Sequence, residues 1–317
     1  MRVVPLLGGL RKGSAILLIL AASLPVAGQS GPKIGYLEGN PLDPRQGTEP
    51  AHFHHVHLNV EDPAQTIAYY KKYFGANDVK FHGVSDALFT EKSFILLKEV
   101  DTAPVSNLGT SLWHIGWAGI DGPSKFKWRV DQGIDVQTPI TPLGSNFYMY
   151  FWGPSKEVVE VYTGSKNHRF EHAHLLATDV NVTVKWFIDN LGISPRFPSV
   201  PRRPGQRWMN TIRVDNVNLI VFGKPAAGEP KPAWYPDEMG EEFLPTEDTA
   251  IDHIAFSYSN IDPVFERMVK SGVEIVRPIA KSEQYGISSF FVRGPDKLLV
   301  EIVQEKPIPE GIWKKDL

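Results

Sequence analysis

Four histidines fall within six residues of one short segment, HFHHVH, at positions 52, 54, 55 and 57. A later segment, EHAHLL, carries two more, His172 and His174. Imidazoles in this density do one of two kinds of chemistry: they hold a divalent metal, or they move protons near neutral pH. Two other histidines, His114 and His253, each open an apolar run, and each is followed downstream by a glutamate in an apolar run, Glu160 and Glu301. Two imidazoles and a carboxylate can bind a metal on one face and leave coordination positions open for water or substrate. The chain contains no cysteine, so thiolate ligands and disulfides play no part.

The elements that must position these residues show in an internal repeat. HHVHLNVEDPAQTIAYYKKYFGA and EHAHLLATDVNVTVKWFIDNLGI align without a gap at an offset of 117 residues, pairing His55 with His172, His57 with His174, Asp62 with Asp179 and Gly75 with Gly192. Each copy reads as a strand with period-2 alternation, then a helix with one apolar stripe (Ile67, Tyr70, Phe74; Val184, Phe187, Leu191), then a glycine placed for a left-handed cap. A second pair of units begins at SLWHIGWAGID and AIDHIAFSYSNID and ends at GPSKEVVEVY and GPDKLLVEIV. The pattern predicts an α+β fold of four β-α-β-β-β modules, paired into two cupped mixed-sheet domains. Contiguous pairing gives a first domain over 52–164 and a second over 168–306, the second with longer insertions.

Strand parity predicts which side chains share a face. His55 points with His57, and Glu160 points with Val158 and Tyr162. Two convergent sets follow, His55, His114 and Glu160 in the first half, and His172, His253 and Glu301 in the second. Any one strand histidine is more often a hydrogen-bonded packing residue than a ligand, but packing does not demand His, His and Glu twice. His52, His54, His82 and His168 have no repeat partner on the inward face and are assigned no metal role. His57 and His174 lie two residues beyond the expected ligands and face the same cavity, where Gly116 and Ala255 leave space. They are candidates for the catalytic acid or base, with packing beside the ligands as the alternative. Tyr148, Tyr150 and Trp152 alternate on one strand and would suit an apolar or ring-bearing substrate. Arg202, Arg203 and Arg207 could grip an anion from a loop, although such runs are more often solvated.

A net charge of −3 gives no electrostatic footprint for nucleic acid. Residues 1–28 read as a secretory signal, with Arg2, Arg11 and Lys12 ahead of SAILLILAASL and small residues after it. The expected product is a secreted or periplasmic protein, off the membrane after cleavage, a monomer or homodimer. Residues 29–51 read as an extended arm and 307–317 as a tail.

HHVHLNVEDPAQTIAYYKKYFG, WHIGWAG and GPSKEVVEVY together resemble the vicinal-oxygen-chelate superfamily, which includes glyoxalase I, extradiol dioxygenases and fosfomycin-resistance enzymes. EHAHLLATDVNVTVKWFIDNLG, DHIAFSY and GPDKLLVEIV resemble it a second time. The resemblance implies cupped sheets around a divalent metal held by the two sets above, and an enzyme that chelates a small substrate through adjacent oxygens. Glyoxalase I-like sites add a glutamate from the last strand of the first module. Here SFILLKEV has only Glu99, at its end, and NLIVFGK has no acid. A three-ligand site is therefore expected, which favours an Fe(II) dioxygenase, with Mn, Ni or Zn as other metals. The alternatives are a metal-dependent isomerase or lyase of the glyoxalase type, or a metal-free protein that sequesters a small molecule.

Overall fold

Asp62 and Asp179 start the first and third helices in the same way. In extended backbone conformation, Asp62 accepts the N–H of Gln65, and Asp179 accepts those of Asn181 and Val182. Gly75 and Gly192 end these helices with φ of 67° and 69°, the left-handed caps that the sequence predicts. The computed structural model describes residues 49–120, 122–164, 168–196, 208–225, 228–231, 235–237 and 239–305. The expected signal segment, nearly all of the arm, the tail and Arg202, Arg203 and Arg207 lie outside the described residues. Among the described residues no helix is long and apolar enough to cross a membrane.

The modules run in order along the chain. The first comprises β1 (His52–Val60), α1 (Pro63–Phe74), β2 (Asn77–Phe81), β3 (Ser85–Thr90) and β4 (Ser93–Glu99). The second comprises β5 (Leu112–Gly119), α2 (Gly122–Asp131), β6 (Val136–Leu143), β7 (Asn146–Trp152) and β8 (Val158–Thr163). The third has β9 (Arg169–Ala177), α3 (Val180–Leu191), β10 (Met209–Val214) and β11 (Val217–Gly223). Where a further strand is expected, the described residues form a bridge between Pro195 and Ile212. The fourth has β12 (Ile251–Tyr258), α4 (Asp262–Lys270), β13 (Ile275–Lys281), β14 (Ser288–Arg293) and β15 (Leu299–Gln304).

The strands form two mixed sheets, as the α+β reading requires, but the modules pair differently from the contiguous expectation. The larger sheet runs β13-β14-β15-β12-β1-β4-β3-β2 and joins the first module to the fourth. The smaller runs β10-β11-β9-β5-β8-β7-β6 and joins the second to the third. The seam of each sheet is an antiparallel pair of opening strands, β1 with β12 and β5 with β9. The sheets therefore do not follow the halves 52–164 and 168–306. Sequence repetition shows that the opening strands are equivalent, and equivalent strands can exchange partners while burying the same apolar faces. The short link from Thr163 to Arg169 keeps the second and third modules neighbours, as short connections do.

The core crosses between the sheets. Tyr70 of α1, in the first module, stacks on Trp117 of β5 at a centroid distance of 5.4 Å, and Phe74 meets the same ring at a tilt, 5.0 Å away. Phe187 of α3 meets Phe256 of β12 at 6.2 Å, and Phe53 of β1 meets Phe170 of β9 at 5.9 Å. On each opening strand the alternate residues, such as Ile115 and Trp117, enter this core, which leaves their neighbours to line the opposite face.

One buried acid locks the two modules together. Glu157 accepts the Tyr70 hydroxyl at 2.8 Å and the Ser155 N–H at 2.9 Å, and its carboxylate fills the space that a Cβ at Gly153 would occupy. Burial pushes its pKa up to about 7. An acid raised in the fold holds its proton longer than in the unfolded chain, so its contribution to stability falls as pH rises from about 4.5 to about 7. Glu157→Gln should therefore gain on the native protein by up to about 3 kcal/mol across that interval. Urea unfolding of both proteins at several pH values checks this, and a pH-independent difference would contradict it.

Candidate metal centres

The seam strands bring the candidate ligands together in sets of new membership. On the smaller sheet, His114 Nε2 lies 2.8 Å and His172 Nε2 lies 2.9 Å from the same atom, Glu160 Oε2. On the larger sheet, His253 Nε2 and His55 Nε2 each lie 3.2 Å from Glu301 Oε2. The expected sets thus exchange one histidine each: His55 joins His253 and Glu301, and His172 joins His114 and Glu160. The reason is the module pairing, since the partner of each opening strand belongs to the other half of the chain.

His57 and His174 share these faces. His57 stands directly across the seam from His253, with ring centroids 4.6 Å apart, and His174 stands across from His114 at 4.7 Å. Donor atoms of His114, Glu160, His172 and His174 all lie within 4.8 Å of one another, as do those of His55, His57 and His253.

The seams are not regular ladders. On β1, the register steps from Phe53 to His55 while β12 steps by one residue, which makes His54 an extra residue; the next irregularity does the same for Asp252 on β12. On β5 and β9 the extra residues are Trp113 and Glu171. Each of these four bulges therefore falls at the residue just before a candidate ligand. A bulge re-aims the extra side chain, and here each one ends beside the imidazole that follows. His54 Nδ1 lies 2.7 Å from His55 Nδ1, and Asp252 Oδ1 lies 2.5 Å from His253 Nδ1. Glu171 Oε2 lies 3.5 Å from His172 Nδ1, and the Trp113 ring lies 4.3 Å from the His114 ring.

His54, assigned no metal role from the sequence, touches a candidate ligand, and its other nitrogen meets Glu305 Oε2 at 2.8 Å. His52 pairs with Asp215, His82 with Glu305, and His168 with the Ala118 carbonyl. Asp252 and Glu171 were not expected at either site. Strict alternation puts them on the opposite face, and only their direct precedence to His253 and His172 could have flagged them.

Electrostatics are the same in both sites. Burial alone would raise the Glu160 and Glu301 carboxyls, but hydrogen bonds from two imidazoles hold both well below the usual range. Burial pulls His55 down to about 4 and lowers His114. It also pulls on His172 and His253, yet their carboxylate partners outweigh it and push each up to about 9. Each carboxylate thus draws two imidazole nitrogens onto one oxygen, next to a further imidazole. Donors in adjacent positions around a metal at about 2.1 Å lie about 3.0 Å apart. Separations of 2.8 to 3.2 Å fit that demand without large rearrangement. The strand flanking each site on its other side offers no further acid: Phe94 and Leu96 of β4 face His55 and His57, while Asn218 and Ile220 of β11 face His172 and His174.

The smaller sheet's site opens on a cavity of about 480 Å³, lined by Tyr148, Tyr150, Tyr162, Arg196, Met209 and Phe222 beside Glu160, His172 and His174. Tyr235, Met239 and Phe243 of the insertion before β12 pack with Trp113, Tyr150 and Phe222 into a separate apolar cluster on this face. Trp113 therefore serves the site, whereas Trp117 belongs to the core and Trp128 is exposed.

Residues 169–302 match the family described as the Glyoxalase/Bleomycin resistance protein/Dioxygenase superfamily. The structure is similar to that of glyoxalase I from Zea mays, with a TM-score of 0.61 at 15% identity over 80% of this chain and 92% of that one. It is also similar to a putative dioxygenase from Bacillus subtilis subsp. subtilis str. 168, with a TM-score of 0.55 at 12% identity over 82% and 86% of the respective chains. Residues 169–302, from β9 into β15, carry the match to this superfamily, and the described residues share their fold with both of these structures. No curated protein matches it by sequence. Among the described residues the chain carries two candidate metal centres, one per sheet, each drawn from both halves of the chain.

Gly116 deserves its place for a reason other than open space above a metal. A Cβ there would fall 2.1 Å from the His172 ring, so the missing side chain is filled by that imidazole. Gly116→Ala should turn His172 out of line with Glu160 and lower metal bound at the smaller sheet's site alone. Metal analysis together with the metal content of a Gly116→Ala, Glu301→Gln double variant checks this: the double variant should retain almost none.

Proposed function

We propose that the protein is a divalent-metal-dependent enzyme whose substrate, a small molecule with two adjacent oxygens, reacts at the smaller sheet's site. The observation that carries this reading is the convergence of His114 and His172 on Glu160, with Glu160 and His172 in the wall of the aromatic-lined cavity. A bound divalent ion there would stabilise negative charge developing on two neighbouring substrate oxygens. His174, across the seam from His114, is within reach of the same space and is assigned the proton transfer. Tyr150, whose ring lies 5.1 Å from that of His114, faces the cavity where the equivalent position on the larger sheet carries Phe291. The tyrosine and phenylalanine rings around the opening suit a ring-bearing or apolar substrate and exclude water from it.

The three-donor set with no acid on β11 supports Fe(II) and dioxygen chemistry over a four-ligand isomerase. Isomerase or lyase chemistry of the glyoxalase type is the second reading, supported by the fold shared with the Zea mays enzyme. The basic and apolar N-terminal segment supports export to the periplasm or the exterior.

Anaerobically purified protein should contain about two equivalents of metal per chain. Glu160→Gln should lose one equivalent and all turnover, and Glu301→Gln should lose one equivalent and keep turnover. Oxygen uptake by the Fe(II)-loaded protein with aromatic vicinal diols, set against isomerisation of a hemithioacetal with Ni(II) or Zn(II), separates the two reaction types. Protein without metal that takes none up would instead support sequestration. His174→Gln should retain metal while kcat falls roughly 10²–10⁴-fold, the range for losing a general acid or base; an unchanged kcat would remove the proton-transfer role.

A further inference from the structure

The two centres have the same ligand types and ligand geometry, but the four bulges back them differently. When Nε2 of a histidine binds a metal, Nδ1 carries the proton, and an acceptor for that proton fixes the ring and makes the ligand more basic. On the larger sheet both rings have one. His253 Nδ1 donates to Asp252 Oδ1 at 2.5 Å, and Asp252 is itself held by Asn59 Nδ2 at 3.2 Å and the Asp248 N–H at 2.8 Å. His55 Nδ1 donates to His54 Nδ1 at 2.7 Å; His54 Nε2 then donates to Glu305 Oε2 at 2.8 Å. The second oxygen of Glu305 meets His82 Nε2 at 3.1 Å, which fixes the carboxylate at the outer end of the chain.

On the smaller sheet the same bulge positions carry other residues. Trp113 stands where the larger sheet has Asp252, and an indole offers a donor but no acceptor. His114 Nδ1 is buried and has no hydrogen-bond partner among the described residues. Glu171 stands where the larger sheet has His54 and reaches His172 Nδ1 only at 3.5 Å. One ring has a distant carboxylate and the other has none.

We propose that Asp252 and the His54–Glu305 pair are positioning residues that make the larger sheet's centre the tighter of the two metal sites, leaving the centre beside the cavity to bind its metal more weakly. The proposal rests on the metal-dependent reading above. Losing one such supporting partner costs roughly 10–100-fold in metal affinity, so the difference between the centres should be at least about tenfold.

Single-centre proteins measure it. Metal-free Glu160→Gln retains only the larger sheet's centre and Glu301→Gln only the smaller sheet's; each is titrated with Co(II), read by its d–d absorption and by calorimetry. The Glu160→Gln protein should bind at least about tenfold more tightly. Adding Glu305→Ala, at a partly exposed position, should weaken that binding roughly tenfold and change the Co(II) band. Glu305→Gln, which keeps an acceptor oxygen, should recover part of the loss, and neither should affect Co(II) binding in the Glu301→Gln protein. Thermal unfolding of the same variants shows that the fold is intact, and Asp252→Ala provides an independent second test. Equal affinities, a tighter smaller-sheet centre, or indifference to both Glu305→Ala and Asp252→Ala would overturn the proposal and leave the metal-dependent reading standing. Failure of the native protein to bind Co(II) at all would overturn that reading and the proposal with it.

Discussion

Two antiparallel seams govern this structure. At each one, two opening strands from distant modules run side by side, and a bulge on each strand falls one residue before a histidine. The seam sets which imidazoles meet, because His55 lies opposite Ala255 and His172 opposite Gly116, while His57 faces His253 and His174 faces His114. The outer strands then deliver one carboxylate to each meeting point, Glu301 through the pairing of β15 with β12 and Glu160 through that of β8 with β5. Without the bulges, the residue before each ligand would turn into the core. With them, it lies against the ring that it precedes.

The same strands supply the core from their other face. Trp117, Phe170, Phe53 and Phe256 interlock with α1 and α3 across both sheets, so the buried aromatic layer and the polar faces are opposite sides of the same ladders. A one-residue slip along a seam would put imidazoles into the core and phenylalanines into the cup. That coupling makes the ligand geometry as firm as the core itself. Where the faces differ is in what surrounds the ligands: tyrosines, Met209 and Phe222 on one sheet, and a carboxylate–histidine scaffold on the other.

Much of this was legible in the sequence because it rests on local rules repeated twice. The capped helices follow from Asp62, Asp179, Gly75 and Gly192, and the inward faces follow from period-2 alternation around His55, His114, Glu160, His172, His253 and Glu301. The structure brings these six residues together in two groups of three, one on each sheet. What the sequence could not reveal was partnership. His55 and His172 are equivalent by repetition, and nothing in a hydrophobic pattern says which of His114 and His253 each will face. The bulges escape a strict period-2 reading, since each extra residue reverses the phase of the alternation: Phe53 and Val56 both enter the core with two residues between them, as do Leu112 and Ile115. His54 was therefore read as facing away, and Asp252 and Glu171 were passed over. Gly116 was read as empty space, whereas its bare backbone makes room for the His172 ring.

The nesting of one sheet inside the other has a consequence for biosynthesis. The smaller sheet draws on a continuous stretch from Leu112 to Gly223, so it can assemble as soon as that stretch is available. The larger sheet needs β1 to meet β12, nearly two hundred residues further along, and such distant closure is entropically costly and slow. Until β12 arrives, β1 must wait with an unpaired edge that holds four histidines and invites association with any strand nearby. The N-terminal module is thus the part of the nascent chain most in need of protection, and the last module to be made is the one that relieves it.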